Sequence, residues 1–235
     1  MRALLVTAVV LTGCNADPGE VDQTVDYRDG DDGGPNSGER GTVRITEVLW
    51  SGTVTDEGIW DRDDVFVELR NEGNRPVNLS NWQLELHGSI EKTWLIPASD
   101  HVLDVGEHAV IAAKDSGCIP GPAWVISDLF ISRGDPFKLT LVDADERLIE
   151  PIGSETMPPL AGGYDLVVSR SMERIELMFG GAGTEPSSWH FYTQAEVEVP
   201  NNEGVASDCR KFTHASPGAP NSPDYSGAYA TGSFE

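Results

Sequence analysis

From about residue 42 onward the sequence is a succession of short apolar runs, each closed by Gly, Pro, Asn or Asp. That rhythm limits the fold more than any other feature. In DVFVELRN, Val65, Val67 and Leu69 alternate with Phe66, Glu68 and Arg70. A period of two sends successive side chains to opposite faces of a strand. In TVRITEVLW, Val43 and Ile45 share one face, and Val48 marks a switch of face. VNLSNWQLEL puts Trp82, Leu84 and Leu86 on a common face. The runs TWLIP, EHAVIAA, AWVIS, FKLTLVD, ERLIEPI and DLVVSR continue the pattern, rich in the β-branched and aromatic residues that strands favour. In SMERIELMF, Ile175, Leu177 and Phe179 alternate, which suits a strand better than a short helix. No stretch carries a sustained helical period, and no internal repeat is present. The 25 glycines and 15 prolines supply the turns that so many short strands require. The chain is therefore expected to be all-β, a sandwich or barrel of antiparallel strands.

The first fourteen residues, MRALLVTAVVLTGC, have a different character. Arg2 precedes a short apolar run, Ala3 to Leu11, and Leu-Thr-Gly-Cys follows at once. The run is far shorter than the roughly 20 residues needed to span a bilayer, but it suits an export signal. The segment resembles the lipobox of bacterial lipoproteins, which implies cleavage before Cys14 and lipid attachment to its sulfur. The alternatives are a plain signal peptide, or a buried strand with a structural cysteine. Residues 15–41 are acidic, Gly-rich and nearly devoid of apolar side chains, too little to offset chain entropy by burial. The expected organisation is thus a signal at 1–13, an extended acidic tether at 14–41, a folded domain at 42–221 and a flexible tail at 222–235. By resemblance to Gram-negative lipoproteins, Asn15 does not retain the protein at the inner membrane. The expected location is the outer membrane, with the membrane contacted through the lipid.

The formal net charge of −23 narrows the partners. Such a surface repels phosphate backbones, so nucleic acid is not expected as a ligand. Calcium is compatible with the charge but not indicated by it, and no cofactor is implied. With Cys14 committed to lipid, Cys118 and Cys209 remain as an even pair in an exported chain. A disulfide between them would close a long loop, worth about 4 kcal/mol in the chain-entropy treatment. Two separate thiols are the alternative.

Three blocks of residues carry a family resemblance. The first contains Ile45, Glu47 and Val48. The second contains Val67, Glu68, Leu69 and Asn71, and the third Val77, Leu79, Trp82 and Leu84. They resemble the I-x-E-V, D-x-W-V-E-L-x-N and V-D-L-x-G-W-x-L blocks of lamin-tail domains. Phe66 stands for the usual tryptophan, Asn78 for the aspartate and Asn81 for the glycine. HVLDVGEHAVIAA is similar to a later strand entry, and SMERIELMFGGAGTEPSSWHF to the late S-x-x-R…W segment. Ser216 to Asn221, including Pro217, Gly218, Pro220 and Asn221, resembles the T-P-G-A-P-N ending of bacterial members. The resemblance implies an immunoglobulin-like antiparallel β-sandwich, with the less similar segment of about 97–163 as inserted loops or extra strands. It also implies a module rather than an enzyme, found in bacteria on secreted proteins and lipoproteins.

The chemistry visible in the residues agrees with a non-catalytic reading. The five histidines form no metal-ligand spacing, and no serine sits in a nucleophile elbow. Glu47 and Glu68 could be an acid–base pair for glycoside hydrolysis if they faced a cleft. Their position in the resembled motif implies a structural role, accepting hydrogen bonds from backbone or turn groups. Trp50, Trp60 and Trp94 flank turns and could stack on sugar rings, although burial is the commoner fate of tryptophan. The acidic turns at 56–64 and 143–146 could ligate calcium, or simply hold hairpins by local hydrogen bonds. The expected protein is a lipid-anchored envelope module with a protein or glycan partner. A glycan- or calcium-dependent adhesion domain is the alternative, and a hydrolase ranks third.

Overall fold

A computed structural model describes residues 41–131, 134–175, 181–193 and 202–224 of the 235-residue chain. Cys14 and the export-signal and tether residues up to 40 lie outside these, as do residues 176–180 of the run around Ile175. The strands alternate with turns as the sequence rhythm requires. The first are β1 (Val43–Leu49), β2 (Thr53–Val54), β3 (Trp60–Asp61), β4 (Phe66–Asn71), β5 (Val77–Asn78) and β6 (Gln83–Gly88). Next come β7 (Lys92–Leu95), β8 (Val102–Leu103), β9 (His108–Ala112), β10 (Trp124–Val125), β11 (Phe137–Val142) and β12 (Leu148–Ser154). Last are β13 (Gly163–Asp165), β14 (Val168–Arg170), β15 (Met172–Arg174), β16 (Trp189–Phe191) and β17 (Thr213–His214). A single 3-10 turn, Pro186–Ser188, is the only helical element among the described residues.

A six-stranded sheet in the order β10-β9-β4-β1-β15-β16 faces a four-stranded sheet in the order β12-β11-β6-β7. This is the immunoglobulin-like β-sandwich expected, and its main ladders are antiparallel. Two short edge pairings depart from expectation, since β10 on β9 and β14 on β17 are parallel. Both pairings are far from hairpins in sequence, β10 beginning twelve residues after β9 ends and β17 more than forty after β14, so neither is bound to the antiparallel direction. The segment 97–163 contributes strands to the heart of both sheets. β9 pairs with β4 in one and β11 with β6 in the other, while the excursion of residues 113–136 bears, among its described residues, only β10.

The inner faces make the core, where Ile45, Val67, Leu69, Leu79, Trp82, Leu84, Ile111, Leu139 and Ile152 are fully buried. Trp82 enters β6 from a tight turn, its N–H donating to the Leu79 carbonyl. Asn81 in that turn has φ 65°, a left-handed conformation. Asparagine tolerates that region better than other side chains, which explains how it replaces the glycine of the motif. One indole with a suspected outward role, Trp94, belongs to the interior. Trp94 is only 4% exposed, lies in the core cluster and donates to the Asp128 carbonyl at 3.1 Å. It is therefore not a ligand-facing aromatic. Its place on β7 opposite Leu84 turns it inward.

The outer face of the larger sheet is buried as well. A register shift between Ile45 and Glu47 inserts one extra residue into β1 against β4. Val48 thereby continues the core face of Val43 and Ile45, whereas Glu47 and Leu49 turn outward. Leu49 joins Phe66, Ala112, Cys118, Ile119, Val205, Cys209 and Ala215 in a second apolar cluster. Residues 202–222 lie over that face, bonded to the 113–136 excursion by the Cys118–Cys209 disulfide, with α-carbons 5.7 Å apart. Ser222 is buried and hydrogen-bonded, so the packed chain extends past the boundary expected at 221.

Candidate functional site

The register of three neighbouring strands decides where the acidic residues go. Glu47 on β1 is opposite Glu173 on β15 and opposite Glu68 on β4. Three carboxylates therefore stand side by side on the outer face of the larger sheet, all with no solvent exposure. Unpaired buried charge is costly, so each must be satisfied by donors. The donors come mainly from the SPGAPNS segment, residues 216–222. Glu47 accepts from the Ser216 N–H at 2.9 Å, and its other oxygen lies 3.3 Å from the Ser216 hydroxyl, whose single proton is closer to Glu173. Glu68 accepts from the Gly218 N–H at 2.7 Å, the Thr46 hydroxyl at 2.7 Å and His108 Nδ1 at 2.8 Å. Glu173 accepts from the Ser216 hydroxyl at 2.5 Å, the Ser222 N–H at 3.1 Å and the Ser222 hydroxyl. Asn221 adds donors to the carbonyls of Thr46 and Arg174 at 3.0 and 2.8 Å.

This arrangement is a clamp holding the C-terminal segment against β15, β1 and β4. Burial, reinforced by Glu173 and Glu68, pushes the Glu47 carboxyl well above its ordinary range. Burial likewise raises Glu173 to about 7, against the hydrogen bonds from Ser216 and Ser222. Burial lowers the His190 imidazole, whose Nε2 lies 3.8 Å from Glu173, and raises the Tyr192 phenol. Raised carboxyls can mark a catalytic acid, but these are fully buried behind the segment that includes Pro217 and Gly218, which lines the neighbouring cleft, and their oxygens are engaged by the protein itself. The arrangement supports the structural role expected for Glu47 and Glu68.

The remaining motif residues are also structural. Asn71 is fully buried and donates to the carbonyls of Arg75 and Leu103 while accepting from the Gly73 N–H. Pro217 is buried, and its carbonyl lies where a side chain on Gly204 would have to go, so that position must stay glycine. The acidic turns hold local structure. Asp143 accepts from the N–H groups of Asp145 and Arg147, and Asp64 from the Thr53 hydroxyl and the Cys118 N–H. Among the described residues no group of three His, Cys, Asp or Glu is placed to hold a metal ion.

A different site lies where β1 gives way to the β2–β3 hairpin. Trp50, Ser51, Trp60, Arg62 and Tyr164 line an open pocket of about 330 Å³. Trp60 and Tyr164 stack with ring centres 3.9 Å apart and planes 10° from parallel. The Arg62 guanidinium lies 4.2 Å from the Trp60 ring centre. Two groups cannot both sit that close over one face, so Arg62 and Tyr164 cover opposite faces in a three-layer stack. The Trp50 and Trp60 indole N–H groups donate to the carbonyls of Ala161 and Ser51, each at 2.9 Å. Both rings are thereby fixed, and what they offer is carbon surface. The pocket unites Trp50 and Trp60, suspected from the sequence, with Arg62 and Tyr164, which sequence reasoning did not select. Glu173 was missed in the same way. Arg62 is hidden in an acidic turn, and nothing local marks Tyr164, since a pairing across more than a hundred residues has no signature in a single run.

A search of curated proteins finds no match to the chain. A comparison with protein families matches residues 36–155 to the lamin tail domain. That match spans the three motif blocks, the tight turn at Asn81 and the central strands of both sheets. With half of its length so matched and the sandwich built accordingly, the chain belongs to the lamin tail domain family.

Proposed function

We propose that this chain is a lipid-anchored protein of the bacterial cell envelope whose lamin tail domain is a non-catalytic interaction module. Cys14 would carry the lipid, residues 15–41 would hold the domain off the membrane, and the outer membrane is the proposed location. The observation that carries the non-catalytic reading is the fate of Glu47, Glu68 and Glu173. The carboxyls best suited to acid–base chemistry are buried and committed to clamping the chain's own C-terminal segment. A domain that spends its buried charge in this way gains a fixed outer shape, which suits binding. The proposed partner is a protein or glycan of the envelope. The aromatic pocket at Trp50 and Trp60 favours the glycan version of that reading.

The anchor is tested by mass spectrometry of the N-terminal peptide of protein extracted from native membranes. The expected species begins at acylated Cys14. One acyl chain binds a bilayer only marginally, whereas the several chains typical of such lipoproteins hold firmly. An intact Met1 on that peptide would overturn the anchor.

A further inference from the structure

We propose that the pocket formed by Trp50, Trp60, Arg62 and Tyr164 binds a neutral sugar ring of a glycan. The inference deepens the interaction-module reading and rests on it only for the supposition that the domain binds something.

The argument begins with what the pocket walls can offer. Both indole N–H groups are consumed by backbone carbonyls, and Arg62 and Tyr164 cover both faces of Trp60, so Trp60 contributes its carbon edge and Trp50 its pocket-lining carbon surface, without free donors. Gly163 lies against the Trp50 ring, where an added Cβ would come within 3.5 Å of Cζ2 and Cη2. The glycine therefore leaves that part of the indole uncovered. Tyr164 has one face on Trp60 and its hydroxyl bonded to the Leu166 carbonyl at 2.6 Å, so its ring is fixed with the other face turned away from the stack. A rigid aromatic surface of this kind suits a flat ligand with an apolar face, and it loses little entropy on binding.

Charge then selects among flat ligands. An anionic ring would approach a protein of net charge −23, past Asp56, Glu57, Asp61 and Asp63 on the same hairpin. A cationic ring, such as a quaternary amine in an aromatic cage, would meet the Arg62 guanidinium that lines the pocket. A neutral pyranose avoids both penalties. Its axial C–H face can lie on carbon surface, and its hydroxyls can use Arg62, which lines the pocket, as a planar multiple donor. The pocket volume of about 330 Å³ is of the size that takes a small ligand.

The test is isothermal titration calorimetry of the full chain with neutral tetrasaccharides: N-acetylated chitotetraose, cellotetraose and maltotetraose. Tetragalacturonate and the chitosan tetrasaccharide serve as anionic and cationic counterparts. At least one neutral sugar is expected to bind, and to bind more tightly than either charged one. Tyr164→Ala should weaken it by about tenfold, the scale of losing one aromatic contact face. Arg62→Ala, at an exposed position, should weaken it in the same direction with unchanged thermal unfolding, which keeps the test valid if Tyr164→Ala folds poorly. No binding of any neutral sugar, tighter binding of a charged one, or undiminished binding by Arg62→Ala would each overturn the proposal. None of these outcomes touches the lipid anchor, which the N-terminal peptide decides separately.

Discussion

A single residue, Trp82, shows how local and tertiary demands coincide. It follows Asn81, whose left-handed backbone closes the turn, and it is fully buried between the sheets. Its ring fills space contributed by both inner faces, so truncation leaves a large void that the strands cannot collapse to fill. Trp82→Ala is expected to destabilise the domain by about 3–5 kcal/mol, measured by chemical denaturation. A loss below about 1 kcal/mol, the level of a surface substitution, would show that Trp82 does not organise the core. Arg174 joins the two sheets at the same scale. It is buried on β15 and pairs with Glu150 on β12 of the opposite sheet.

At the scale of an element, the extra residue in β1 is the decisive detail. It rotates Glu47 out of the core and into line with Glu68 and Glu173, where the C-terminal segment supplies their donors. This has a consequence for pH. Folded Glu173 keeps its proton up to about pH 7, whereas in the unfolded chain it loses it near the ordinary 4.5. Between those values the folded state binds more protons, so this group's contribution to stability falls as pH rises through the window. His190 and His214, both lowered by burial, act with the opposite sign just below the ordinary 6.5. Comparing variants separates the two. Melting temperatures from about pH 4.5 to about pH 8 should fall more steeply for the natural chain than for Glu173→Gln. Parallel curves would mean that Glu173 titrates normally.

At the scale of the whole molecule, the sandwich carries a second apolar layer that depends on a covalent tie. Residues 202–222 cover the outer face of the larger sheet, and the disulfide fixes them to the 113–136 excursion across 91 residues of sequence. Opening the bond frees a long loop in the unfolded chain and weakens the hold on that cover. Reduction, or replacement of both Cys118 and Cys209 by serine, should cost about 2–5 kcal/mol and lower the melting temperature. An unchanged melting curve after complete reduction would assign the stability of the cover to the carboxylate clamp instead.

Much of this was legible from local pattern because local pattern has a local cause. Alternation in β1, β4 and β6 named the faces, the shift at Val48 announced the extra residue, and the motif residues marked the family. The even pair of cysteines left once Cys14 is set aside, in a chain whose opening reads as an export signal, pointed to the disulfide. The central role of β9 and β11 was not visible, because a strand's own residues do not say which partner it will pair with. Trp94 looked like Trp60 in sequence, yet one is core and the other lines a pocket, since only the register of β7 turns a side chain inward. Glu173 and Tyr164 were invisible for the same reason. The sequence by itself determined that the chain makes strands, which face of each is apolar and where turns fall, because these depend on neighbours two or three residues away. Only the tertiary structure decided that three carboxylates share one buried row beneath the C-terminal segment, and that an indole, a phenol and a guanidinium stack at one edge. Those are meetings between residues far apart in the chain, fixed by strand order and register rather than by any run of sequence.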